Sequence, residues 1–136
     1  MARTERLGVR DLTYSRWHRL TEPSGQNTLT YIDLDAVEYC CRCREPLALL
    51  ETARDVGQAF KPTTVLCALA ERARVPAYLV FYKADKDGGI IGFRMRQVYP
   101  RVGEWRMLTP DAYAAFLVSL REEHVCGGNG DGDIFA

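Results

Sequence analysis

The sequence has no excess of charge of either sign: 18 lysines and arginines balance 18 aspartates and glutamates. That excludes a globally basic nucleic-acid binder, so any such contact has to come from a local patch. No apolar run approaches the ~20 residues needed to cross a bilayer, and the stretch MARTERLGVR has no apolar segment of the signal-peptide kind. A cytoplasmic protein that makes no membrane contact is expected. The five cysteines are odd in number and come with no export signal, which argues for thiols or metal ligands rather than a disulfide framework. There is no internal repeat, and no second C-x-x-C accompanies the one at Cys40 and Cys43.

What is present suits one compact domain, since 136 residues are enough to bury a core without staples. VRDLTYSRWHRLTE (9–22) is a helix candidate, with Leu12, Trp17 and Leu20 at near-helical spacing and Trp17 as its anchor in the core. Pro23 ends it, and the polar stretch 22–28 reads as turns. From Leu29 to Cys40 residues alternate, with Ile32, Leu34 and Ala36 on one face and Tyr31, Asp33, Asp35 and Val37 on the other, as in a strand with one mixed face. RCREP is a turn, and the nearly continuous apolar run LALLETA (47–53) predicts a buried strand.

Pro62 suits the first turn of a helix running to about Arg74, with Val65, Leu66, Leu69 and Ala73 as its buried stripe and Cys67 in the core. VPAYLVFYKA (75–84) predicts a strand buried on both faces, DKDGG a hairpin turn, and IIGFRMRQVY (90–99) the returning strand. Thr109 and Pro110 read as cap and first residue of a last helix, to about residue 123. The order is α-β-β-α-β-β-α, a mixed sheet flanked by helices in a single α/β domain over 1–124. A flexible Gly/Asp-rich tail is expected over 125–136.

The order strand-Asp, hairpin, strand-Glu, helix, strand resembles the core of the PD-(D/E)XK nuclease superfamily, above all its small Holliday-junction-resolvase-like members. The first motif stands as Tyr31-Ile32-Asp33-Leu34 and the second as Leu50-Glu51-Thr52-Ala53-Arg54. The likeness covers residues 29 to about 83. It implies a restriction-endonuclease-like fold and a Mg²⁺-dependent endonuclease acting on DNA, with Asp33 and Glu51 as catalytic metal ligands and Asp35 as a further one. The motif lysine is replaced by Ala53, and the upstream glutamate by Tyr31. Lys61 is then the substitute lysine, Arg54 the second choice, and Gln58 a candidate contact to water or the scissile phosphate.

The chemistry is independent of the likeness. A hard divalent cation takes oxygen ligands, and two carboxylates on neighbouring strands hold it on a rigid sheet. A hairpin turning near Cys43 sets Asp35 against Glu51 and Asp33 against Ala53; a slip of one residue would destroy that pairing. The plainer reading makes Asp33, Asp35 and Glu38 the solvated side of an amphipathic strand. Glu51 resists that reading, because an acid closing an apolar strand is costly to bury without a metal or a partner.

Cys40-Cys41-Arg42-Cys43 has zinc-knuckle spacing, and a structural zinc needs four ligands. Cys41, Cys67, His124 and Cys126 are the candidates for the remaining two; plain thiols or a redox pair are the alternatives. Arg16 and Arg19 in YSRWHR, and Arg94 and Arg96 on alternate positions of one strand, are candidate phosphate contacts, and a solvated face is their alternative. Two rival functions stay open: a non-catalytic nucleic-acid- or protein-binding protein on the same scaffold, of phage or mobile-element type, and a zinc-knuckle interaction module. DNA or another nucleic acid is the expected partner, and a homodimer is a candidate assembly.

Overall fold

The structure is a computed structural model, and it describes residues 4–5, 8–9, 11–21 and 29–127. The chain divides into two compact units, 1–33 and 34–136. The polar stretch 22–28 and the tail 128–136 lie outside the described residues.

The first unit holds a short antiparallel ladder, β1 (Thr4–Glu5) with β2 (Gly8–Val9), and helix α1 (Thr13–Thr21). Asp11 caps the helix, its Oδ1 accepting from the Thr13 N–H at 2.9 Å and from the Thr13 hydroxyl at 2.6 Å. No residue of α1 is buried, and Trp17 is 60 % exposed, so the expected core anchor is an exposed ring. Its neighbour in the unit is Tyr14, with ring centroids 5.9 Å apart. The helical spacing of Leu12, Trp17 and Leu20 was real, but the stripe is too sparse to define a buried face.

The second unit is a mixed α/β fold. Its elements are β3 (Ala36–Tyr39), β4 (Pro46–Arg54), α2 (Thr64–Ala73), β5 (Ala77–Ala84), β6 (Ile90–Tyr99), β7 (Arg106–Leu108) and α3 (Pro110–Glu122). The open sheet has the order β3-β4-β5-β6-β7. Only the β4–β5 pair is parallel, and α2 makes the crossover that a parallel pair requires. The order α-β-β-α-β-β-α holds, with the short β7 and the β1–β2 ladder added.

Register assigns the two faces. Leu49, Ala77 and Val98 lie under α2 with Leu66, Ala70 and Val75. Leu50, Val80 and Met95 lie under α3 with Tyr113, Phe116 and Leu117. β5 is buried on both faces, as its unbroken apolar run requires: Leu79, Val80 and Phe81 are fully enclosed.

Several boundaries differ from expectation for local reasons. The strand expected from Leu29 begins only at Ala36, because Asp35 uses its own carboxylate, at 2.9 Å, to accept the Thr52 N–H. Helix α2 starts at Thr64 behind Thr63, so Pro62 precedes the helix instead of sitting in its first turn. Its buried stripe is Leu66 and Ala70, while Val65 and Leu69 face outward. The expected cap of α3 is present, with Thr109 Oγ1 accepting from the Ala112 N–H at 3.1 Å and Pro110 opening the helix. In the DKDGG turn, Asp85 Oδ1 accepts from the N–H groups of Asp87 and Gly89, both at 2.9 Å, and Gly88 takes φ +89°.

Leu50→Ala, in the closed layer under α3, is expected to cost about 3 kcal/mol of unfolding free energy in urea titration. Val65→Ser, on the outward side of α2, is expected to stay within about 0.5 kcal/mol of the parent.

Candidate active site and a Cys3His cluster

The β3–β4 hairpin pairs Ala36 with Leu50 and Val37 with Leu49. Continued by one residue, that ladder sets Asp35 against Glu51, the predicted register. Both acids fall on the α2 face, whereas Glu38, opposite Ala48, falls on the other. Glu51 follows Leu49 on this face and abuts Leu79 of β5, so its carboxylate closes an apolar strip with a side chain only 13 % exposed.

The counter-charge comes from the β4–α2 connection. Lys61 Nζ lies 2.5 Å from Glu51 Oε2 and 3.8 Å from Asp35 Oδ2, and it donates to the Thr52 carbonyl at 3.4 Å. One ammonium therefore bridges an acid of β4 and the acid that immediately precedes β3. Ala53 occupies the next position on this face of β4.

The connection that delivers Lys61 is itself anchored. Asp55 donates its N–H to the Tyr82 carbonyl at 2.7 Å and accepts from the Gly57 N–H at 3.0 Å. Arg94 binds Asp55 side-on, Nη2 to Oδ1 at 2.9 Å and Nε to Oδ2 at 3.3 Å, and donates also to the Gln58 carbonyl at 2.9 Å. Its guanidinium lies 4.6 Å from the ring centroids of both Phe81 and Trp105, which are themselves stacked. Arg94 is thus spent on the fold's interior. Arg96 points the same way, with Nε on the Gly103 carbonyl at 2.9 Å and the Trp105 ring 5.0 Å from its guanidinium.

Gln58 serves the same loop: its amide donates to the Arg54 carbonyl at 2.9 Å and accepts from the Val56 N–H at 2.8 Å. Arg54 is exposed, as are Arg16 and Arg19 on α1. Asp33 belongs to the first unit, where it lines an open groove with His18, Arg19 and Tyr31. In that groove His18 and Tyr31 meet edge to face at 4.5 Å, and Ser15 and Tyr31 share a hydrogen bond of 2.5 Å.

The second constellation sits at the hairpin's closed end. Cys40 and Cys43 flank the turn; Arg44 takes φ +68° and donates its N–H to the Cys40 carbonyl at 2.9 Å. Cys43 Sγ lies 3.2 Å from His124 Nε2, and Cys40 Sγ lies 3.9 Å from Cys126 Sγ. The four ligand atoms lie within 4.8 Å of one another, and the group could hold a metal ion such as zinc. Among the described residues, no other set of three or more His, Cys, Asp or Glu side chains converges in this way.

Backbone N–H groups of Cys43 and Arg42 point at Cys40 Sγ and bring that thiol down to about 7. Burial, together with the neighbouring thiols, pushes Cys126 up to about 11. Of the four candidate partners for the C-x-x-C, His124 and Cys126 join it. Cys41 is exposed, and Cys67 lies apart on α2, 3.5 Å from the Val98 carbonyl. H-x-C at 124–126 was the available sequence signal, but nothing local indicated that it meets a turn more than 80 residues earlier. No family model, curated protein or solved structure matches this chain.

The Asp55–Arg94 pair has a pH signature. The hydrogen bond from Arg94 and that from the Gly57 N–H hold the Asp55 carboxyl below its ordinary value. A depressed folded-state value means the contribution is present above the unfolded pKa, about 3.9, and is lost as pH falls through the lower folded value. Asp55→Asn should therefore flatten the acid limb of a stability–pH curve below about pH 4, measured by urea denaturation at each pH.

Proposed function

We propose that the protein is a small divalent-cation-dependent nuclease of PD-(D/E)XK type, with Glu51 and Asp35 as metal-binding carboxylates and Lys61 as its lysine. The observation that carries this reading is the bridge from one ammonium to Glu51 of β4 and to Asp35, the residue before β3. An ion pair whose lysine side chain is 38 % exposed contributes little to stability, so stability alone is a weak reason for it. Two acids and a lysine converging at the end of an apolar strand are more economically explained by chemistry.

Two carboxylates suit a hard cation that keeps several of its waters, as Mg²⁺ does. Such a cation supplies a polarised phosphoryl oxygen and an activated water. Glu51 and Asp35 would hold it, because their oxygens already share one positive charge. Lys61 would then orient the attacking water and offset charge on the phosphate. Its place in the connection before α2, instead of on β4 at Ala53, makes the Asp55–Arg94 anchor a positioning device. Arg54, which follows Glu51 on β4, is an exposed cation that could meet a nucleic-acid backbone.

The rival reading is a nucleic-acid- or protein-binding protein on the same scaffold, and Ala53 beside Glu51 is the observation that favours it. The assay is cleavage of branched and single-stranded DNA, and of RNA, with Mg²⁺ or Mn²⁺. Glu51→Gln and Lys61→Ala are each expected to lower the rate at least about 10²-fold while leaving the folded signal in circular dichroism unchanged. A parent protein that cleaves nothing yet binds nucleic acid with salt-dependent affinity overturns the nuclease reading in favour of the binding one.

A further inference from the structure

Three thiols and one imidazole from two distant chain segments meet at the closed end of the β3–β4 hairpin, on the opposite side of the hairpin's length from Asp35 and Glu51. We infer that Cys40, Cys43, His124 and Cys126 hold one structural zinc ion, which fastens the segment after α3 to the hairpin turn.

The spacing fits. Zinc bonds of about 2.3 Å to sulfur and about 2.0 Å to nitrogen, at tetrahedral angles, place ligand atoms about 3.5–3.8 Å apart. Cys43–His124 at 3.2 Å and Cys40–Cys126 at 3.9 Å lie on either side of that range, and all four ligand atoms lie within 4.8 Å of one another, so a small closing of the group completes the tetrahedron. A disulfide does not explain the contact, because bonded sulfurs lie about 2.05 Å apart; all five cysteines are free. Plain burial does not explain it either. Cys40 and Cys43 are each 3 % exposed, and the apolar residues beside them, Leu47 and Leu120, form only a small cluster. A hydrophobic filler would not gather the histidine as well.

The ligand chemistry selects the metal. Thiolate and imidazole favour zinc over Mg²⁺, and four protein ligands leave no open position for water or substrate. The site is therefore structural. On binding, the thiol protons leave to solvent and the three thiolates and neutral imidazole take their place on the ion. The resulting centre carries one net negative charge, and Arg42 and Arg44 alternate with the thiols in sequence.

The geometry also assigns a consequence. Residues 124–127 follow α3 without secondary structure and meet the hairpin through Cys126, packed on Cys40 and Cys43, and through His124, 3.6 Å from Glu45; a bound ion would fasten these contacts. This inference is independent of the nuclease proposal, because neither Glu51 nor Lys61 takes part.

The test uses the full chain without a histidine tag, kept reduced, stripped of metal and then titrated with Zn²⁺ or Co²⁺. The expected result is about one zinc per chain by mass spectrometric metal analysis. The Co²⁺ form should show thiolate charge-transfer absorption and the intense visible bands of tetrahedral cobalt. Cys126→Ser and His124→Ala should lose most of the zinc, while Cys41→Ser and Cys67→Ser keep it. Chelation of the parent should lower the midpoint of thermal unfolding by about 10 °C. Cys43→Ser is the least informative variant because its site is buried; the parent's own titration decides the matter if that variant does not fold. A reduced parent that takes up neither metal overturns the inference. So does a thiolate-free octahedral cobalt spectrum, or zinc retention unchanged in both Cys126→Ser and His124→Ala.

Discussion

Glu51 stands in β4 with most of its side chain out of water, and the need to match that charge shapes the face of the sheet around it. A lone carboxylate there would carry a desolvation cost of several kcal/mol. Lys61 offsets it, and to reach Glu51 the β4–α2 connection has to fold back across the end of its own strand. That path is fixed by Asp55, and Asp55 is fixed by Arg94 against the stacked Phe81 and Trp105 rings. A chain of charges thus runs across the α2 face from β6 through the connection to the acids of β4 and the residue preceding β3. The α3 face closes over Leu50, Val80 and Met95 with Tyr113, Phe116 and Leu117. Both faces carry apolar core, and the acids and Lys61 sit beyond Leu49 and Ala77 on the α2 side.

The hairpin is arranged along the same division. Its open end presents Asp35 and Glu51, and its closed end presents Cys40 and Cys43. The tight turn depends on Arg44 in the left-handed region, at φ +68°. Soft and hard ligands are therefore separated along one supersecondary unit, so the two proposed sites select different ions.

Much of this was legible in the residues because it depends on local pattern. The apolar runs of β4 and β5, the Thr109-Pro110 start of α3 and the DKDGG turn each specify their own structure within a few positions. The pairs from Ala36–Leu50 to Glu38–Ala48 keep the register expected of a hairpin turning near Cys43, but Tyr39–Pro46 is shifted by one, an irregularity no residue pattern announced. Lys61 was singled out only through the resemblance, as the substitute for the motif lysine that Ala53 replaces. What was not legible depends on tertiary contact. Arg94 and Arg96 alternate as a solvated or phosphate-facing pair would, yet their guanidinium groups turn onto an aromatic stack built from β5 and Trp105. His124 and Cys126 reach the turn only because α3 crosses the sheet. Trp17 illustrates the opposite error: large and apolar, it is exposed because its helix has too few apolar neighbours to make a face.

The central claim is that Glu51 and Asp35 form a site for a hard divalent cation, whether or not turnover is fast. Its most direct measurement is Mn²⁺ binding, followed by electron paramagnetic resonance on zinc-saturated protein at low ionic strength. The account predicts a Mn²⁺ site displaced by Mg²⁺ and lost in Glu51→Gln, with the bound zinc retained. Mn²⁺ binding that is absent, or identical in the parent and in Glu51→Gln, would contradict it.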